Sequence, residues 1–290
     1  MATDQGPVVL SALLRSELVR LRKEKGLTQE QVVAELEWSA SKLIRVEGGR
    51  SSITKVDLDA LMDKYGITSE SQRERMHALN RGARDRGWWD DYRGDVSATY
   101  LNFVGYEAGA SFIRQFQGTV VPGLLQTAGY AQELTAASVE DPVRIAPVVK
   151  LRLLRQSELA KRVPPPRQYF VLDEGVLRRH IGIHRDPAIM PDQLRHIAAR
   201  ARDDDRVTVR VIPFGEGAHA GLSGPFTLLE FEGGLPDILF LDAGRDLISM
   251  VSADDPSVVE YADTFDKLLG GALSVEESME FILSVAEEMS

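Results

Sequence analysis

Residues 26–50, GLTQEQVVAELEWSASKLIRVEGGR, constrain the fold of this chain more than any other stretch. Thr28 is followed three residues later by Gln31, a pattern in which a hydroxyl and an amide each satisfy the other's free backbone N–H at a helix start. The helix opened there has Leu27, Val32, Val33 and Leu36 for its buried side. Glu37 and Trp38 make a turn, and Ser39 is expected to cap a second helix carrying Leu43, Ile44 and Val46. Two short helices joined by a tight turn form a helix-turn-helix, whose second helix enters the DNA major groove. Ser39, Ala40, Ser41, Lys42 and Arg45 lie at the start or on the exposed side of that helix. Short polar groups and cations of this sort read base edges and hold phosphates. The plainer alternative is a helical hairpin with a solvated polar face.

Three segments go further: Leu27-Thr28-Gln29, Ser39-x-Ser41, and Ile44-Arg45-Val46-Glu47-x-Gly49. Together they resemble the Xre/Cro-type repressor domain, over about residues 11–66. The resemblance implies an all-α, lambda-repressor-like head on double-stranded DNA. It also implies that Gln29 holds a phosphate, with Arg50 and Lys55 as outer clamps. Two positions depart from the usual pattern. Glu37 and Trp38 stand where the turn commonly has Gly and a small aliphatic residue, and Ser51 follows Arg50 where Pro is common.

The rest of the head reads as helices. Leu10, Leu13, Leu14, Leu18 and Leu21 repeat at helical spacing over 9–25, with Arg15, Arg20, Arg22 and Lys23 expected to point outward and Gly26 to terminate. Gly48-Gly49 breaks the chain, and another helix runs from about Thr54 to Gly66. The expected division is a DNA-binding domain over 1–67, a helical connector over 68–99 and a larger domain over 100–290. In the connector, GWWDDYRGDV places Trp88 and Trp89 among acidic residues, which argues against base stacking and for a plug coupling the two domains.

Net charge is −10 over 290 residues, which looks wrong for a nucleic-acid binder until it is divided. Residues 1–86 hold 15 Lys and Arg against 13 Asp and Glu, and the remainder holds 19 against 31. DNA affinity follows local phosphate neutralisation, so the head is permitted to bind while the acidic remainder favours another partner. With no cysteine, disulfides, thiol catalysis and thiolate metal sites are excluded. The start, MATDQGPVVL, has no basic region before its short apolar run, and no segment reaches the roughly 18 apolar residues of a membrane helix. A cytoplasmic protein is expected.

Residues 99–117 read as one mostly apolar helix with Glu107 and Arg114 as its charged members. A Pro-Gly turn and another helix follow, then a longer helix from Pro142 that Pro147 should kink or delay. RQYFVLDE and RVTVRVIPF read as strands separated by helices over EGVLRRHIG and PDQLRHIAARAR. PFTLLEFEG, PDILFLDA and DLISMVSA follow at short spacing, which points to an antiparallel meander. Two helices close the chain, one opened by Asp255-Pro256 and one capped by Ser274. The fold class is therefore α+β.

Gly87-Trp88-Trp89, Tyr106-Glu107-Ala108, Val121 to Thr127, Arg152-x-x-Arg155-Gln156, Asp173-Glu174, Val211 to Phe214, and Gly217 to Phe226 stand in this order along the chain. In these segments the chain resembles antitoxin-like, WhiJ-type bacterial regulators with a large C-terminal domain. That resemblance implies a DNA-binding regulator working with a small, separately encoded partner protein.

Catalytic and metal patterns are absent. His180 and His184 are four apart, but no glutamate stands between them as in a metalloprotease and Gly182 weakens any helix there. His219 sits in a Gly-rich loop without the G-x-S-x-G nucleophile pattern, and no Walker or dinucleotide loop is present. Glu107, Arg114, Arg152 and Arg155 are charges in apolar helices, which implies either buried ion pairs or a ligand pocket. No catalytic residue, metal or cofactor is expected. The chain reads as a homodimeric, sequence-specific regulator whose larger domain takes a small-molecule ligand or partner protein. The runner-up is an antitoxin-like protein that mainly sequesters its partner, with DNA binding only autoregulatory.

Overall fold

Local signals start and stop the helices of the N-terminal part. Gly26 adopts a φ of +66°, a left-handed conformation without a Cβ clash in glycine, and ends α1, Gly6–Glu24. The reciprocal box opens α2, Gln29–Glu35: Gln31 N donates to Thr28 Oγ1 at 3.2 Å and Thr28 N donates to Gln31 Oε1 at 2.8 Å. α3 is Ala40–Glu47, and α4, Lys55–Lys64, starts on Thr54, whose hydroxyl accepts from Asp57 N. α5, Glu70–Gly82, packs on α1 and buries Met76, Leu79 and Asn80. The helix of the stretch expected as a connector thus joins the first bundle. This computed structural model describes residues 5–242, 248–251 and 255–290. The chain divides into two compact units after Trp88, with Glu232–Leu235 grouped with the first.

The second unit is built on a six-stranded sheet of order β3-β2-β1-β4-β5-β6. It begins with α6, Ala98–Gly109, and β1, Phe112–Gln117. Here the expectation of one helix over 99–117 is corrected. Ala110 leaves the helical conformation with ψ at 146°, and FIRQFQ runs as a central strand. Its burial does not alternate, since Phe116 and Gln117 are both buried, and Arg114 pairs with Glu230 at 2.8 Å. The chain crosses over through α7, Ala128–Ser138, and α8, Pro142–Ala160, to β2, Arg167–Asp173. α8 starts at Pro142, under an Asp141 cap, and continues through Pro147. A second crossover, through α9, Glu174–Arg178, and α10, Ile189–Asp203, leads to β3, Val207–Ile212.

Crossovers of that length join parallel strands, and β1, β2 and β3 are parallel. The expected antiparallel sheet is therefore corrected to a mixed one. Its antiparallel half, β1-β4-β5-β6, uses β4, Phe226–Glu230, β5, Ile238–Asp242, and β6, Ile248–Val251. The two ends of the expected DLISMVSA strand lie outside the described residues. One sheet face packs Phe116, Val171, Phe226, Leu228 and Leu239 against Phe265 and Leu268 of α11, Ser257–Gly271. α12, Val275–Glu288, opens on the expected Ser274 cap, in a box with Glu277, and packs on α10 and β3.

The loop Val121–Thr127 is buried and irregular, so its backbone needs side-chain partners. Gln126 Nε2 donates to Val121 O, Gln156 Nε2 to the carbonyls of Gly123 and Gln126, and Gln193 Nε2 to Leu125 O. Tyr130 OH accepts from Val121 N. The loop motif and the glutamine after Arg155 are thus two halves of one hydrogen-bonded structure.

Candidate nucleic-acid interface

α3 and its C-cap Gly48 have a buried side and an exposed side. Leu43 and Val46 face the core, while Ala40, Ser41, Ile44, Arg45 and Gly48 are exposed. Those positions share one face of a helix with 3.6 residues per turn. Ile44, read with Leu43 and Val46 as the apolar set of this helix, is 48% exposed in the middle of that face. An apolar side chain there suits a thymine methyl, and nothing in the sequence separates it from a core residue except its helical phase. Ser39 occupies the N-cap position, but its hydroxyl makes no cap hydrogen bond and lies 3.2 Å from that of Ser41.

α3 is seated by an ion pair that sequence reading placed outside. Arg22, expected on the solvent side of α1, donates from Nε and Nη2 to the two Glu47 oxygens at 2.7 and 3.0 Å. Its Nη1 donates to Leu27 O, and Gln29 Nε2 donates to Glu47 Oε2 at 2.6 Å. Glu47 therefore gathers α1, the start of α2 and the end of α3. Hydrogen bonding to its carboxylate holds the Arg22 guanidinium above its ordinary value, against the cost of burial. Gln29, expected to hold a phosphate, thus has one amide hydrogen committed to Glu47.

The remaining cations differ in how free they are. Lys42 Nζ lies 2.6 Å from Asp57 and 3.9 Å from the centre of the Trp38 ring. Burial pushes the Asp57 carboxyl up, but Lys42 and Thr54 outweigh it and leave it below the usual carboxylate range. Arg45, Arg50 and Lys55 are exposed, and among the described residues no ion pair engages them. In the turn, Glu37 has a φ of +53°, the position where the resembled pattern has glycine. A side chain held left-handed costs on the order of 1 kcal/mol, and the turn keeps its course nonetheless.

In the second unit several of the groups considered for chemistry have structural partners. His219 Nδ1 accepts from Gly221 N, so its Nε2–H donates to Asp173 Oδ2 at 3.1 Å and neither nitrogen is left over. His180 and His184 are not helical, and His180 Nε2 lies 2.9 Å from Pro187 O. Among the described residues no three His, Cys, Asp or Glu side chains gather as metal ligands. Glu107 and Arg155 form a buried bidentate pair at 2.7 and 2.6 Å. Trp88 is half-buried and Trp89 buried, in the short 3-10 turn Trp88–Tyr92.

A capped first helix, a tight turn and an exposed, partly cationic second helix define a helix-turn-helix DNA-binding protein. Residues 13–76 match the family described as a helix-turn-helix domain. Over 56 residues the chain is 41% identical to the uncharacterized HTH-type transcriptional regulator y4dJ of Sinorhizobium fredii (strain NBRC 101917 / NGR234), covering 19% of this chain and 73% of that protein. The protein is an Xre-like transcriptional regulator. Residues 100–284 match the family described as "Domain of unknown function (DUF5753)", and the chain belongs to that family. No solved structure matches it. Among the described residues no helix is long and apolar enough to cross a membrane.

Proposed function

We propose that the protein binds a specific operator as a homodimer through α3, and that its second unit controls this binding by taking a ligand or a small partner protein. The observation behind the DNA half is the exposed face of α3, with Arg45, Arg50 and Lys55 unpaired beside it. Ser39, Ala40, Ser41, Ile44 and Arg45 read bases in this proposal, while Gln29, Arg50 and Lys55 hold phosphates. Lys42 must first leave Asp57 and Trp38, so it contributes less than Arg45. The second unit is read as non-catalytic and without a cofactor, with both ring nitrogens of His219 given to Gly221 and Asp173.

One head covers little DNA, and helix-turn-helix proteins gain specificity by pairing on half-sites about 34 Å apart or a multiple of that. Light scattering should give a dimer on the operator; a monomer both free and bound would remove this part.

Control passes, in this reading, through Trp88 and Trp89 at the junction of the two units. Trp88→Ala should weaken the effect of a bound partner more than it weakens operator binding. A folded variant that responds like wild type would contradict this.

The experiment that tests the whole reading is a genome-wide DNA pull-down with mass spectrometry of co-purifying molecules. Enrichment of an inverted repeat is expected. A stoichiometric basic protein without discrete DNA sites would favour the antitoxin-like alternative, which the acidic surplus of residues 87–290 suits.

A further inference from the structure

A cavity of about 260 Å³ lies in the second unit between the sheet and the helices α6, α7 and α8. Successive side chains of a strand point to opposite faces. Phe116, Phe226 and Leu239 face α11, so Gln115, Gln117, Thr227 and Phe240 face the cavity. A floor this polar is unusual on a buried sheet face: Gln117 and Thr227 are only 3% and 5% exposed. Gln117 Oε1 is buried with no hydrogen-bond partner, and so is Nε of Arg152 in the cavity wall. Unmet buried groups cost free energy unless something arrives to meet them.

The two arginines of the wall are not equivalent. Glu107 neutralises Arg155. Arg152 has no carboxylate within 4.0 Å among the described residues, and one 3.4 Å contact to Gln126 Oε1. Its charge is available to an anion. Asp242 also borders the cavity, which disfavours a second negative charge. Phe103 and Phe240, packed edge to face at 5.1 Å, supply an apolar side. The volume exceeds the roughly 150 Å³ void that admits benzene, so a substituted ring fits.

We propose that this cavity is an effector site for a small aromatic monocarboxylate that also carries a hydrogen-bond donor. The carboxylate meets Arg152, the donor meets Gln117, and the ring lies against Phe103 and Phe240. The assignment rests on the reading of the second unit as the receiver of a signal.

Calorimetric titration of the full chain with benzoate, 4-hydroxybenzoate and indole-3-carboxylate, each beside its neutral carboxamide, tests it. At least one carboxylate should bind about tenfold or more tightly than its amide, and Arg152→Gln should lose that margin. Ser138→Trp, placed on the exposed rim, should block binding while leaving the melting temperature unchanged. No binding by any carboxylate, equal binding of acid and amide, or binding that survives both variants would overturn the site. Operator titrations run in parallel separate the two ideas. A carboxylate that binds without changing operator affinity keeps the site and removes the signal-receiving reading. A partner protein that changes operator affinity, with no carboxylate bound, removes the site and keeps that reading.

Discussion

Glu107→Ala should destabilise the second unit by about 3–5 kcal/mol, the cost of leaving a buried charge without its partner. Arg155 and Glu107 are 5% and 2% exposed. The guanidinium donates to both carboxylate oxygens and, from Nη1, to Tyr100 OH at 2.6 Å, with its charge 5.2 Å from the centre of the Phe103 ring. Burial works against charge on Arg155, but the carboxylate and the tyrosine outweigh it and hold the guanidinium above its ordinary value. Removing the carboxylate leaves that buried charge without its partner. In a unit of this size the melting temperature should fall by roughly 10 °C. Replacing both partners with apolar residues, Glu107→Leu with Arg155→Met, should recover much of the loss. Calorimetry would count against the pair if Glu107→Ala melted within about 1 °C of wild type.

Glu47→Ala should destabilise the first unit by about 3 kcal/mol and weaken operator binding with it. The carboxylate receives three hydrogen bonds, two from Arg22 and one from Gln29, and its side chain is 6% exposed. A charged hydrogen bond is worth about 1.5–3 kcal/mol, and three donor groups on two residues would be left unmet. In a bundle this small the transition should drop by roughly 10–20 °C. Below that transition α3 would lose the contact that ties its last residue to α1, and the reading face would lose its fixed height. Glu47→Gln, which keeps one acceptor oxygen, should lie between. A Glu47→Ala protein with wild-type melting and operator affinity would show that the pair is incidental.

Features set within a few residues were legible in the sequence. The Thr28–Gln31 and Ser274–Glu277 boxes are three-residue relations, and both formed. β3 shows its alternation in Val207, Val209 and Val211, and β4 and β5 are short apolar runs between turns. What escaped depends on distant partners. β1 has arginine and two glutamines because Glu230 and the cavity accept them, and those partners lie far along the chain. The parallel pairing of β1 with β2 is decided by how two helices cross over, which no local pattern records. Arg22 looked solvent-facing because Glu47, 25 residues away, was not yet opposite it. Ile44 looked like core because apolarity alone does not state which side of a helix is covered.

If the exposed face of α3 reads a DNA sequence, Arg45 must contribute to that preference. Selection of the bound sequence from a random library, followed by titration of that duplex with wild type and Arg45→Ala, measures the contribution. Arg45→Ala should lose about 1–3 kcal/mol on the selected site and discriminate less at one base pair, as expected for a guanidinium on a guanine edge. Its affinity for unrelated DNA should change far less. A variant with wild-type affinity and wild-type preference at every base pair would contradict the claim.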